Sequence, residues 1–278
     1  MRKLLVAVLL VASAGVLYSE PLLLQQADNV LQPKTLELGL SDILYQYDLT
    51  DITNAAGVTV LENKVTATIV PVYARYGITP KLEATLQLPY ETLNTDSGGA
   101  TTSKSALADS IIGVKYVLGD DGDLKKGLAC VFSVPTGDSA FRRGFDIQPV
   151  FSLRRIIPHG AINFNLAYDI TAEYSDVNSV KQNPGDVLSA GVGLERSADF
   201  SENFTWITEF VYRSLSEASS AGITTANSSG SQMDWDLGAR YDTGDWRTKL
   251  GFALALGDET YRTYDYKVIA GVTYLIKL

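Results

Sequence analysis

Residues 82–90 read LEATLQLPY, and this stretch alternates apolar and polar side chains. Leu82, Leu86 and Leu88 share one face of an extended chain, and Glu83 and Gln87 lie on the other. A soluble sheet turns its apolar face toward a core, whereas a barrel in lipid turns that face outward and encloses the polar one. The fold therefore depends on which of the two faces meets water.

The same alternation continues to the end of the chain. Between residues 161 and 174, Phe164 and Leu166 alternate with Asn163 and Asn165. Segments of this kind, most of them roughly 9–15 residues long, are typical of tilted strands that span a membrane. We therefore predict an all-β fold, a transmembrane antiparallel up-and-down barrel of about 12 strands. The predicted strands lie near residues 34–49, 64–77, 82–92, 108–118, 127–135, 145–155, 161–174, 186–196, 204–213, 232–241, 246–256 and 264–278.

The connections between these segments alternate in length. The shorter ones are 78–81, 119–127, 157–160, 197–203 and 243–246. The longer and more polar ones are 50–63, 92–107, 136–144, 175–185, 214–231 and 257–263. Outer-membrane barrels have short turns on the periplasmic side and long loops outside, whereas a soluble sandwich has no reason to sort its connections in this way.

Aromatic residues of the apolar face cluster near the strand ends. Tyr76, Tyr116, Trp206, Tyr241 and Trp246 lie near the short connections, and Tyr90, Tyr174, Tyr212, Trp235 and Tyr264 near the long ones. Tyrosine and tryptophan favour the headgroup zone of a membrane, where one edge of the ring is dry and the other is wet. Two aromatic belts at the membrane surfaces are therefore predicted. Core aromatics of a soluble sandwich would lie in the middle of the strands.

The N-terminus has the pattern of a secretory signal peptide. Arg2 and Lys3 precede an apolar run from Leu4 to about Val11, followed by small residues. The run is shorter than the about 20 apolar residues of a spanning helix. We predict a signal peptide at 1–19, an N-terminal periplasmic or plug segment at 20–33 and the barrel at 34–278. The predicted location is the bacterial outer membrane.

Composition excludes several classes of function. The formal net charge is -9 and the isoelectric point about 4.7, so no electrostatic argument favours nucleic-acid binding. Cys130 is the only cysteine of the sequence, which rules out an internal disulfide. It shares a face with Leu128 and Phe132, and we interpret it as a small apolar side chain rather than a reactive thiol.

Two motifs lie in the segment ADSIIGVKYVLGDDGDLKKGLACVFSVPTGD at 108–138. Their residues are Asp109, Gly113, Lys115 and Tyr116, followed by Pro135, Thr136, Gly137 and Asp138. With these motifs and the hairpin YGITPKLEATLQLPY at 76–90, the chain resembles the outer-membrane barrels grouped as the MetA-pathway phenol-degradation transporter family. The resemblance implies a transporter of small hydrophobic or aromatic molecules. Ala108 departs from the glycine that is usual in the family.

The PTGD motif and the acidic stretch at 119–123 can both be explained without a bound ligand. In PTGD, Pro135 ends a ladder because it lacks an N–H group, and Asp138 can bind the turn backbone, so we interpret the motif as a strand exit rather than a ligand contact. The acidic stretch GDDGD at 119–123 lacks the spaced ligands and closing glutamate of a calcium loop. No metal site or cofactor is predicted.

The polar face defines the candidate functional residues. In a barrel this face lines the lumen, and the pore-lining candidates are Glu83, Gln87, Lys115, Asp146, Gln148, Arg154, Asn163, Asn165, Asp169, Glu209, Arg213, Asp234, Asp236, Arg240 and Lys249. Glu195, Arg247 and Lys267 belong to the same face. Both charge signs occur without a ring of one sign, so strong ion selectivity is not expected. The residues could brace the barrel as an ion-pair network, line a path for a solute, or do both.

The function that we predict is an outer-membrane channel or transporter for small solutes, hydrophobic or aromatic ones included, that works by passive diffusion. Its expected partners are membrane lipids, the solutes themselves and the barrel-insertion machinery, which would recognise the C-terminal strand. That strand ends in Leu278, where phenylalanine is usual.

Three alternatives remain open. One is a non-conducting structural or adhesive barrel that acts through its extracellular loops, and another is a secreted soluble β protein. The third is a membrane enzyme, which we disfavour because a serine hydrolase usually needs a nearby base. The only histidine, His159, is predicted in a periplasmic turn, and the sequence has no GxSxG elbow, so no catalytic residue is predicted.

Overall fold

Antiparallel pairing of neighbouring wall strands, and of the first with the last, closes the sheet into a 12-stranded barrel. The structure is a computed structural model and describes residues 30–53, 59–176, 179–224, 228–256 and 264–278. The predicted signal peptide and residues 20–29 of the predicted N-terminal segment lie outside the described residues. Of the residues described, no helix is long and apolar enough to cross a membrane.

The strands agree closely with the alternating segments of the sequence. They are β1 (Thr35–Thr53), β2 (Thr59–Thr79), β3 (Leu82–Ser97), β4 (Ala100–Leu107), β5 (Ser110–Asp121), β6 (Leu124–Val134), β7 (Asp146–Ile157), β8 (Gly160–Asp169), β9 (Tyr174–Ser175), β10 (Lys181–Asn183), β11 (Val187–Ala198), β12 (Ser201–Leu215), β13 (Ser219–Ser220), β14 (Ile223–Thr224), β15 (Gly230–Asp242), β16 (Trp246–Leu256) and β17 (Tyr266–Lys277). The short strands β9, β10, β13 and β14 form a separate small sheet. The remaining strands form the wall.

Exposure of the side chains settles which face looks outward. Leu86, Phe164 and Leu237 are 40 %, 39 % and 44 % exposed, whereas Glu83 and Asp236 are fully buried. Apolar side chains therefore cover the outer wall, and the charged ones are enclosed. This is the reverse of a soluble sheet and the arrangement of a barrel in lipid, whose acyl chains contact the outer wall.

Connections at the two ends of the barrel differ as predicted. At one end the wall strands are joined by two or three residues, at 80–81, 122–123, 158–159, 199–200 and 243–245. One prediction at the other end was wrong, because residues 92–107 are not a polar loop. They extend β3 and form β4, which pairs with it from Tyr90↔Leu107 to Ser97↔Ala100. The residues of β4 are mostly exposed, whereas Glu91 and Thr95 of β3 are buried.

The fourth wall strand is interrupted. Both β4 and β5 pair with β3, and Ala108 and Asp109 separate them. Both of these residues are buried, and the loop between β6 and β7 attaches at the same place, since Asp138 donates from its backbone nitrogen to the carbonyl oxygen of Leu107 at 2.9 Å. The loop between β6 and β7 is therefore attached to the wall at the break between β4 and β5.

A bulge in β1 reverses the side-chain alternation. The register with β17 shifts between Leu40 and Ile43, and Asp42 has a positive φ of 64°. Thr35 and Glu37 are buried before the bulge, and Gln46 after it. Odd-numbered residues thus face inward below the bulge and even-numbered ones above it.

Most of the predicted belt aromatics lie on the outer wall. Trp206, Tyr241 and Trp246 are exposed near the short turns, and so are Tyr90 and Tyr212 toward the loops. Two assignments were wrong. Tyr264 is only 1 % exposed, because the residue precedes β17 and its ring lies 3.9 Å from the ammonium nitrogen of Lys267. Tyr174 belongs to β9 rather than to the wall, since the predicted strand 161–174 ends at Asp169.

Candidate functional site

The enclosed face of the wall brings the predicted pore-lining residues together. Twelve of the fifteen are less than 9 % exposed, and Arg154, Arg240 and Lys249 are partly buried. Their neighbours along the strands, such as Leu86 beside Gln87 and Phe164 beside Asn163, are exposed on the outer wall. All fifteen therefore point into the interior of the barrel.

Nine charged side chains form a continuous ion-pair chain around the interior. In order around the wall they are Lys115, Glu83, Arg75, Glu37, Arg247, Asp242, Arg240, Glu195 and Arg154. The successive nitrogen–oxygen distances are 3.6, 3.6, 2.7, 3.4, 2.8, 2.9, 3.6 and 3.0 Å. The residues lie near the strand ends that face the short turns, so the chain follows the periplasmic end of the lumen from β5 around to β7.

Charges alternate in sign along the ion-pair chain. Glu37 accepts from Arg75 at 2.7 Å and also from the hydroxyl of Thr273. Glu195 accepts two hydrogen bonds from Arg154, at 3.0 and 3.1 Å, and a third from the amide of Asn163 at 2.8 Å. Each of these buried carboxylates is thus paired and hydrogen-bonded, which offsets the cost of removing it from water.

Apolar side chains interrupt the polar lining above the bulge. Leu44 pairs with Ile69 of β2 and Ile269 of β17, and the three form a cluster that is at most 5 % exposed. Their positions face inward, between outward-facing residues such as Tyr45. All the predicted pore-lining residues are polar, and the structure adds an apolar patch to the lumen.

A pocket lies on the loop side of the lumen, beneath residues 137–143. Its lining residues are Glu91, Ala108, Asp109, Ile111, Val131, Ser133, Phe141, Arg143, Asp146, Gln148 and Asp169. The pocket and the solvent space at its opening together measure about 460 Å³. Asp109 fixes the loop, because its carboxylate accepts from the backbone nitrogens of Gly137 at 2.8 Å and Arg143 at 2.7 Å. Gly137 of the PTGD motif is thus tied to the first motif.

Residues 30–33 lie inside the periplasmic mouth. The backbone nitrogen of Leu31 donates to Oε2 of Glu83 at 2.7 Å, and the Leu31 side chain is buried. A Cβ atom added at Gly77 would collide with the carbonyl oxygen of Gln32. The described part of the N-terminal segment therefore contacts the ion-pair chain through Glu83.

Three members of the ion-pair chain were missed by sequence reasoning. Glu37 precedes the β1 bulge, which breaks the simple alternation of that strand. Arg75 follows Ile69, Pro71 and Tyr73 on the inward side of β2, so an apolar run hides the polar face. Asp242 ends β15 and lies between the predicted strand 232–241 and the predicted connection 243–246. A search for charged residues near every short turn would have found all three.

Glycines of the inner face make room for neighbouring side chains. A Cβ atom at Gly193 would lie 2.9 Å from Cγ of Glu209, and one at Gly271 would lie 2.7 Å from Cε of Lys249. The space that these glycines leave is therefore filled by charged side chains rather than open. No group of three or more histidine, cysteine or acidic side chains suited to a metal ion occurs among the described residues.

Comparison with known proteins supports the fold at low sequence identity. No protein-family model matches the sequence, and no curated protein matches it. A COG4313 outer membrane channel from Pseudomonas putida F1 superimposes with a TM-score of 0.69 at 12 % identity, over 91 % of this chain and 99 % of that one. The fold is that of an outer-membrane barrel.

Two autotransporter domains share the fold less closely. The translocator domain of NalP from Neisseria meningitidis has a TM-score of 0.53 at 14 % identity, over 98 % of this chain and 95 % of that one. The transport unit of AIDA-I from Escherichia coli has a TM-score of 0.52 at 11 % identity, over 96 % and 97 % of the two chains. Together with the apolar outer wall, the closed barrel confirms a location in the bacterial outer membrane.

Proposed function

We propose that the protein is an outer-membrane channel through which small solutes, hydrophobic and aromatic ones included, cross by passive diffusion. The observation that carries the proposal is the mixed lining of the lumen. A polar ion-pair chain at one end is combined with the apolar patch of Leu44, Ile69 and Ile269. Such a lining suits solutes that are partly apolar, and the fifteen inward-facing residues are the proposed pore lining.

Two further observations favour a channel. Several buried polar atoms of the inner face, including Oε1 of Gln87 and Oδ1 of Asn165, have no hydrogen-bond partner among the described residues. Buried polar groups normally find partners, and a lumen that holds water or solute would supply them. The structural neighbour from Pseudomonas putida F1 is described as an outer membrane channel. The resemblance of the 108–138 motifs to the phenol-degradation transporter family supports the aromatic solute class.

The proposal is tested by reconstitution of the folded protein in planar bilayers and liposomes. We expect single-channel conductance with little preference between small anions and cations, because both signs line the ion-pair chain. Uptake into liposomes should be measured for a sugar, a charged aromatic acid and a charged amine. No conductance together with no uptake of any of these solutes would refute the channel function and leave the fold intact.

We further propose that residues 20–33 act as a plug of the periplasmic mouth. The bond from Leu31 to Glu83 and the contact of Gln32 with Gly77 support this, since they hold residues 30–33 in the mouth. A variant whose mature chain begins after residue 33 should conduct more than the full-length mature chain, because the ion-pair chain is then uncovered. Equal conductance of the two proteins would contradict the plug.

The extracellular surface supports a second candidate, a barrel that acts through its loops. Strands β9, β10, β13 and β14 form an ordered four-stranded sheet, in which Lys181 donates to Glu173 at 2.6 Å. This hydrogen bond raises the pKa of the Lys181 ammonium. If the protein is a channel, deletion of this sheet should leave its conductance measurable. If it is an adhesive barrel, the same deletion should abolish adhesion.

The closing strand suggests how the chain is inserted. We propose that the barrel-insertion machinery recognises β17, whose even-numbered residues from Tyr266 to Ile276 are all apolar and which pairs with β1 from Thr35↔Lys277 onward. Replacement of Leu278 by phenylalanine should leave insertion unchanged or improve it, as measured by the folded fraction in cells. A marked loss of folded protein would contradict this proposal.

A further inference from the structure

The pocket beneath residues 137–143 is strongly acidic for an enclosed site. Four carboxylates line it, from Glu91, Asp109, Asp146 and Asp169, and Arg143 is the one cation in its lining. Arg143 lies 3.8 Å from Glu91, its closest ion-pair partner. The pocket therefore carries an excess of negative charge that the protein compensates only in part.

Three of the four carboxylates have a partner in the protein. Asp109 accepts two backbone hydrogen bonds, Asp146 accepts one from Ala172 at 2.9 Å, and Glu91 faces Arg143. Asp169 differs, because no described residue forms a hydrogen bond or an ion pair with it, although it is only 5 % exposed. An enclosed carboxylate without a donor is costly unless a ligand supplies the donor.

Part of the pocket lining is apolar. Phe141 is 8 % exposed and points into the pocket from the loop, and Ile111 and Val131 line it from β5 and β6. Phe141 is fixed because its backbone nitrogen donates to the carbonyl oxygen of Asp138 at 2.9 Å. The pocket thus combines a buried carboxylate that accepts no hydrogen bond from the described residues with an aromatic ring.

We infer that this pocket binds small solutes that carry a protonated amine beside an apolar or aromatic group. The ammonium donates to Asp169, and the amide oxygen of Gln148 in the same pocket provides a second acceptor. The apolar part of the solute contacts Phe141 and Ile111. The inference deepens the proposed channel function and rests on it for passage of the solute, whereas binding itself requires no conduction.

An organic cation fits these residues better than the other charged ligands do. An inorganic anion would meet four carboxylates and a single guanidinium, which repel it overall. The described acidic residues do not form a set suited to a metal ion.

The test uses the full mature chain, folded in detergent micelles, and three probes of the same size. Binding of benzylamine, benzyl alcohol and benzoate is measured by titration calorimetry at about pH 8, where the amine is protonated and carboxylates of ordinary pKa are ionised. We expect benzylamine to bind at least roughly tenfold more tightly than benzyl alcohol, and benzoate to bind more weakly than either. Benzyl alcohol also reports partition into the detergent.

Two variants locate the binding. Asp169→Asn should lower the affinity for benzylamine by about tenfold and leave that for benzyl alcohol unchanged, because it removes only the charge. Phe141→Ala should weaken the binding of benzylamine and of benzyl alcohol to a similar degree. If Asp169→Asn does not fold, this loop variant tests whether the ligands bind in the pocket. Asp48→Asn removes another buried inward-facing carboxylate, on β1 outside the pocket, and should leave benzylamine affinity unchanged.

Several results would overturn the inference. They are equal affinity for benzylamine and benzyl alcohol, an Asp48→Asn effect as large as that of Asp169→Asn, or no detectable benzylamine binding. Displacement of benzylamine by millimolar calcium but not by a second amine would indicate a metal site and would also refute it. The channel function would survive each of these results, since it is measured separately as conductance.

Discussion

Breaking the ion-pair chain at Glu195 should destabilise the barrel more than its single charge suggests. The carboxylate of Glu195 accepts two hydrogen bonds from Arg154 and one from Asn163, and it lies 3.6 Å from Arg240. Glu195→Gln keeps the shape of the side chain but removes the charge and one acceptor oxygen. Two guanidinium groups then lose their common anion inside the lumen.

The magnitude follows from the burial of both partners. Removal of one member of a buried ion pair costs about 3–5 kcal/mol, because the other charge is left uncompensated. Glu195 has a side chain only 4 % exposed, but Arg154 and Arg240 are 19 % and 21 % exposed and regain some solvation. Gln also retains one acceptor for Asn163 or Arg154. We therefore expect Glu195→Gln to lower the free energy of unfolding by about 3 kcal/mol.

The assay is reversible guanidinium unfolding of the barrel in lipid vesicles, followed by tryptophan fluorescence. The matched control is Glu202→Gln, the same substitution at an exposed position of β12, which should change the free energy of unfolding little. A double-mutant cycle with Arg154→Met should give a coupling energy of about 2 kcal/mol. Equal effects of Glu195→Gln and Glu202→Gln would refute the claim that the ion-pair chain stabilises the barrel.

Three further predictions test other parts of the structure. Gly77→Ala should raise single-channel conductance, because the new Cβ atom displaces Gln32 from the mouth. Gly119→Ala is the control and should leave conductance unchanged, because a Cβ atom there would meet open space. Leu237→Arg should lower the free energy of unfolding in vesicles by about 2–4 kcal/mol, since it places a charge on the lipid-facing wall, and an effect near zero would contradict that orientation. Asp109→Ala should accelerate trypsin cleavage at Arg142 in the folded protein, because the loop loses two hydrogen bonds, and an unchanged cleavage rate would show that other contacts fix it.

Most of the wall could be predicted from the sequence because the order of apolar and polar residues along a strand indicates which face is enclosed. Side chains alternate with a period of two, so the lipid-facing and enclosed residues of β8 or β15 can be assigned without knowledge of the other strands. The residues Asn163, Asp234 and Asp236 lie inside for this reason. The sorting of connections by length added the orientation of the barrel, with the short turns on the periplasmic side.

Prediction failed where a local irregularity changed that rule. In a regular strand Glu37 and Gln46 would lie on opposite faces, because they are an odd number of residues apart. The bulge after Leu40 places both of them on the inner face. In β2 the inward face carries Ile69 and Pro71 as well as Arg75, so no polar stripe is visible in the sequence. Both cases concern strands next to the barrel closure, where the interior is not uniformly polar.

The candidate pocket could not be predicted, because it depends on contacts between distant segments. The PTGD motif was interpreted as a strand exit, and β6 does end at Val134 just before it. Its glycine nevertheless has a second role, since Gly137 donates to Asp109, 28 residues away in the sequence. This bond, together with the bonds of Arg143 to Asp109 and of Asp138 to Leu107, places Phe141 above the lumen, and nothing in the alternation of either strand indicates it.

The ion-pair chain can both brace the wall and line a path, and the exposures of its members show how. Glu37, Glu83 and Glu195 have side chains at most 4 % exposed, so these carboxylates are enclosed by their partners. Arg247 and Asp242 are 28 % and 34 % exposed and carry opposite charges. The enclosed members hold adjacent strands together, while the exposed members present both signs to the lumen. In the channel that we propose, a small ion would therefore meet no net barrier of one sign at this level, and discrimination between solutes would depend on the acidic pocket above it.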